Sequence, residues 1–152
     1  MNFSVSCELD DGIVVIDPAM IDEIDEKIMY AMEIFLDPEG VTEIVFDFPG
    51  EEWKSVYNRQ SRKLLSFMDE GKMWIKLVKP GDQEFTMEQV DSGDFEETVS
   101  VTSGKLYVVL ASELLQCIYF PELEMELLGE VELENGNYKI GYEDGRIQYY
   151  KA

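Results

Sequence analysis

Lys105–Ala111, KLYVVLA, is the most continuously apolar run in the second half of the chain. The run is short, β-branched and aromatic, preceded by Ser103-Gly104 and followed by Ser112-Glu113. These features predict a strand buried on both faces near the middle of a sheet.

The flanking segments supply its neighbours. Glu84–Val90 alternates through Phe85 and Met87, and Glu97–Thr102 through Val99 and Val101, with a turn at Asp91-Ser92-Gly93-Asp94 between them. After the central strand, Ser112–Tyr119 reads as a short helix capped by Ser112. Glu122–Glu134 then alternates acids with Leu123, Met125, Leu127, Val131 and Leu133, and Gly129 marks a bulge. Asn135-Gly136 is the strongest hairpin signal in the chain, and Asp144-Gly145 is a second. Together they predict a C-terminal β-meander.

Upstream, residues 3–9 and the run GIVVI at 12–16 flank Asp10-Asp11-Gly12, which predicts an opening β-hairpin. Asp17-Pro18 has the form of an N-cap followed by proline at the first helical position. Ile21, Ile24, Ile28, Ala31, Met32 and Phe35 then keep helical spacing until Asp37-Pro38-Glu39-Gly40. VTEIVFDF at 41–48 is a strand candidate, a second amphipathic helix is expected from Trp53 through Val56, Tyr57, Leu64, Phe67 and Met68, and MWIKLV at 73–78 is a strand. The alternation of strand and helix over residues 12–79 admits βαβ units with parallel strands. The overall expectation is α+β: an N-terminal hairpin and two amphipathic helices on a mainly antiparallel sheet. At this length, residues 1–152 form a single globular domain, with Pro80–Asp82 the one weak boundary.

Charge narrows the function. The chain has 33 acidic and 12 basic residues and no histidine, a net charge of −21. Such a surface repels duplex nucleic acid, which is bound by cations that displace counterions, and disfavours an anionic membrane. It attracts basic proteins and speeds their association. An acidic coat also simply solvates a protein. The one basic stretch, residues 53–81, contains Lys54, Arg59, Arg62, Lys63, Lys72, Lys76 and Lys79, and pairing with the flanking acidic segments is its expected role. No glycine-rich phosphate loop accompanies it.

Chemistry is harder to find. Lack of histidine excludes Ser-His-Asp and Cys-His arrangements and histidine metal sites. No EF-hand loop or zinc spacing occurs, and Cys7 and Cys117 read as buried free thiols. No metal or cofactor is expected. Carboxylate pairs for hydrolysis are conceivable but unspecific among so many acids. The N-terminal residues lack the pattern of a signal peptide and no run reaches the ~20 apolar residues of a membrane span. A soluble, cytoplasmic, non-enzymatic protein is therefore expected.

Its expected function is to bind and block a basic protein, such as a nuclease or toxin, with carboxylates standing where phosphates would sit. An immunity protein or other inhibitor would work in this way. The candidate surfaces are an acidic helix face (Asp22, Asp25, Glu26, Glu33) and an acidic turn (Asp91, Asp94, Glu96, Glu97), with the acidic strand Glu122–Glu134 as a further surface. Tyr142, Tyr149 and Tyr150 would add aromatic contacts. Two other readings are a structural accessory protein whose acids only solvate it, and a carboxylate-based hydrolase.

Overall fold

The computed structural model describes residues 1–36, 43–47, 54–58 and 73–152. Its architecture is α+β and rich in strand. β1 (Asn2–Cys7), β6 (Gly81–Gln89), β7 (Glu97–Val101), β10 (Gly136–Glu143) and β11 (Arg146–Lys151) form a five-stranded sheet in the order β1-β6-β11-β10-β7. β2 (Asp11–Ile16), β5 (Met73–Val78), β8 (Lys105–Leu110) and β9 (Gly129–Glu132) form a four-stranded sheet in the order β5-β2-β8-β9. β3 (Glu43–Asp47) and β4 (Lys54–Asn58) pair separately. Among the described residues, every pairing is antiparallel except that of β6 with β11.

The run KLYVVL is an inner strand, as its composition implies. Its neighbour β2 is still more enclosed, with all six residues buried. Register explains this. Ile13 and Val15 share a face with Trp74, Val108 and Leu110, while Val14 lies opposite with Ile75 and Val109. One face meets the five-stranded sheet, where the Trp74 indole N–H donates to the Glu97 carboxylate and the Lys76 ammonium sits 4.6 Å above the Tyr142 ring. The other face receives helix α2 (Ala111–Tyr119), close enough that a Cβ on Gly12 would lie 3.4 Å from the Ala111 side chain, while Ile75 of β5 crowds the same position at 2.9 Å. Both sheets and the helices contribute to one buried apolar cluster.

Both ends of β2 are tied by buried carboxylates. Asp17 is fully buried and accepts from Ala19 N (2.8 Å), Thr102 N (2.5 Å), Ser103 N (2.9 Å) and Ser103 Oγ (2.6 Å). Asp11 accepts from Gly12 N (2.7 Å), Ser112 N (3.1 Å) and Ser112 Oγ (2.5 Å). Helix α2 thus has no side-chain cap of its own, and Ser112 donates to Asp11 instead of capping. A carboxylate from a neighbouring strand supplies the negative charge that a helix N-terminus favours.

Several local expectations are overturned. β1 and β2 enter different sheets, so the opening hairpin does not form, and Asp11-Gly12 lies within β2 because its carboxylate is engaged by α2. The first helix divides into a 3-10 helix (Pro18–Glu23), begun as expected by Asp17 and Pro18, and α1 (Glu26–Leu36). Asp25 causes the break: its side chain accepts from Ile28 N at 2.9 Å, an N-cap bond that competes with helix continuation. Residues 54–58 are strand where the second helix was expected, and that helix's remaining positions lie outside the described residues. β2 and β5 are antiparallel, not a βαβ pair. The acidic strand shrinks to Gly129–Glu132, and the meander splits because β9 and β10 belong to different sheets. Asn135-Gly136 carries the chain between them, with Asn135 Oδ1 accepting from Gly104 N at 2.8 Å. Asp144-Gly145 does form the expected hairpin, both residues having positive φ (48° and 78°).

Burial raises the Asp17 pKa, but the donations from Ser103, Thr102 and Ala19 outweigh it and hold the carboxyl below its ordinary value. Its stabilisation is then complete above the unfolded pKa of about 3.9 and is lost as pH falls through the lower folded value. Asp17→Asn should cost about 2–4 kcal/mol at pH 7, and the gap from the parent should narrow below about pH 4, as read by urea denaturation across that range.

Candidate functional site

The described acids divide sharply by location. Asp11 and Asp17 are buried, Asp10, Glu97 and Glu113 are half-buried, and the others are exposed. The exposed acids, with the side chains beside them, are the material for a site.

The acidic turn is partly a structural device. Phe95 folds over the outer side of the five-stranded sheet, 5.8 Å from the Tyr150 ring, and takes the space a Cβ on Gly141 would need. The Tyr150 hydroxyl donates to Gly93 O at 3.0 Å. These contacts hold Asp91, Asp94 and Glu96 exposed on an anchored loop. Glu97 differs from them. Strand alternation places it with Val99 and Val101 on the inner side, where it accepts from Trp74. It bridges the sheets and does not share the loop's surface. Tyr149 is likewise buried, Tyr142 lies half-buried against Phe85 and Lys76, and Tyr150 is occupied by Phe95, so these tyrosines form no exposed aromatic face.

The acids of 122–134 are all exposed, but they divide among different settings. Glu130 pairs with Lys105 at 3.3 Å, Glu134 pairs with Lys151 at 3.0 Å, and the Glu126 backbone N–H donates to Glu113 at 3.1 Å. The basic stretch is accounted for in part: Lys79 approaches Asp10 at 4.0 Å and Lys76 lies between the sheets. The side chains of its other members lie outside the described residues.

The acidic helix face is also rearranged. Asp22 is exposed on the 3-10 helix and Asp25 is the α1 cap, so neither shares a helical face with Glu26 and Glu33. Glu26 and Glu33, seven apart, share one face of α1 with Tyr30 between them. α2 brings Tyr119 to this face, where its hydroxyl donates to Glu33 Oε1 at 2.9 Å. That bond, with slight desolvation and the charges of Glu33 and Glu26, raises the Tyr119 pKa. Tyr30 is 53% exposed, Tyr119 58% and Phe120 53%, and Leu123 in the following turn is 44% exposed. The helix pattern marked Glu26 and Glu33, but nothing local in the sequence joined them to Tyr119, 86 residues further on.

A separate recess of about 440 Å³ opens beside Ser4, Glu84, Thr86, Asp144 and Arg146, and the Thr86 hydroxyl is buried there without a hydrogen-bond partner. Among the described residues no group of three cysteines or carboxylates could hold a metal ion, and no helix is long and apolar enough to cross a membrane. Cys7 and Cys117 are half-buried free thiols on β1 and α2.

No family model, curated protein or solved structure matches this chain. Because Glu97 is the acceptor for a buried indole, Glu97→Ala should destabilise the protein by about 1–3 kcal/mol, whereas Glu96→Ala should stay within about 0.5 kcal/mol, both measured by thermal or urea unfolding.

Proposed function

We propose that this protein is an acidic binding module that blocks a basic partner by charge complementarity, in the manner of an immunity protein or a nuclease or toxin inhibitor. The observation that supports this reading best is the surface where Tyr30 and Tyr119 are exposed beside Glu26 and Glu33, with Phe120 exposed at the end of α2. Solvation alone requires only the carboxylates. Exposed aromatic rings add contact area at little entropic cost and are characteristic of binding surfaces. The net charge of −21 supplies the long-range attraction, and the aromatic surface supplies the short-range contact. Asp91, Asp94 and Glu96, held on their anchored loop, form a second acidic surface that adds to the field.

The same exposed rings favour one alternative. A non-enzymatic structural or assembly protein could use Tyr30, Tyr119, Phe120 and Leu123 for an apolar contact that is indifferent to charge. Salt separates the two readings. Immobilised protein should retain one stoichiometric basic partner at low salt and release it late in a salt gradient. Reversing both Glu26 and Glu33 to lysine should weaken that complex by about tenfold or more at low salt, with the difference shrinking as salt rises. A mixture of basic proteins released early, unaffected by the double reversal, would refute the inhibitor reading. A salt-insensitive contact would favour the assembly reading.

A further inference from the structure

We infer that the α1–α2 surface receives an arginine side chain of the partner protein, the guanidinium stacking on Tyr119 while its N–H groups reach the Glu26 and Glu33 carboxylates. This rests on the basic-partner reading and adds to it the identity of the group recognised.

The geometry carries the inference in three steps. First, the Tyr119 ring is fixed, because its hydroxyl is held by Glu33 at 2.9 Å while the side chain remains 58% exposed. A ring anchored at its polar end and open along its body offers a stacking surface at low entropic cost. Second, carboxylates lie near that ring, with Glu33 bonded to its hydroxyl and Glu26 two turns away on the same side of α1, close enough that its charge acts on that hydroxyl. Among the described residues, Lys79, Lys105 and Lys151 pair with Asp10, Glu130 and Glu134. Third, the ligand must be planar and cationic to use both features. A guanidinium stacks on an aromatic face and presents N–H groups in its own plane to carboxylates. An ammonium can also sit over a ring, as Lys76 does over Tyr142, but as a point charge it lacks the flat face and the in-plane N–H fork that engage ring and carboxylates together. Tyr30, between the two glutamates on α1, adds exposed aromatic surface for the methylene stem, and Phe120 is exposed next to Tyr119 in the chain.

The test is an NMR titration of the full chain with nona-arginine and, separately, nona-lysine peptides at low salt. The arginine peptide should bind at least about threefold more tightly, with the largest amide shifts at Tyr30, Glu33, Tyr119 and Phe120. Tyr119→Leu should remove that preference while leaving nona-lysine affinity within about twofold, and Tyr119→Phe, which keeps the ring, should retain most of it. Equal affinity for the two peptides, or shifts centred on Asp91–Glu96 or Glu130–Glu134, would overturn the arginine assignment and leave the charge reading standing. No saturable binding of either peptide would overturn both.

Discussion

Burial of β2 on both faces is the constraint on which the remaining structure depends. A strand so enclosed has no solvent to satisfy its ends, and the chain meets this with carboxylates at Asp11 and Asp17. Each is compensated by several donors, one from the adjoining backbone (Gly12 N, Ala19 N) and the rest from a distant segment: Ser112 on α2 for Asp11, Thr102 and Ser103 between β7 and β8 for Asp17. The bonds therefore do more than neutralise a cost. They fix where α2 begins and where the chain leaves one sheet for the other.

Strand content was legible in the sequence because it rests on alternation and on short apolar runs. β2, β5, β6, β7, β8 and the Asp144-Gly145 hairpin follow from residues in view of one another. Partner choice between strands was not legible. Asp11-Gly12 and Asn135-Gly136 carry the same local signature as a hairpin turn, yet each has a side chain engaged by a remote backbone N–H, of Ser112 and of Gly104. Tertiary bonds of this kind have no trace in local spacing. Asp25 is the converse case: a helix interior by hydrophobic period, a cap by its side-chain chemistry.

The same limit applied to the candidate surfaces. Counting acids could not tell Glu96, which faces water, from Glu97, which faces Trp74, although strand alternation from Val99 and Val101 contained the distinction. The acidic helix face was half legible, since Glu26 and Glu33 do share a side of α1. Its aromatic complement came from α2 and became visible only in three dimensions. Acidity in this chain thus has two physical uses: inward carboxylates specify the architecture, and outward ones define its field.

The parallel pairing of β6 with β11 has a consequence for how the chain is made. β11 follows the other four strands of its sheet in the chain, yet it lies at the centre of that sheet, between β6 and β10. During synthesis, β1 and β6 can pair early, but they lack their inner neighbour until Arg146–Lys151 clears the ribosomal tunnel. Until then the inner edge of β6 is open, with Phe85 and Met87 unsheltered by Ile147 and Tyr149. The acids that alternate with them, Glu84 and Glu88, keep charge on that nascent edge throughout the wait.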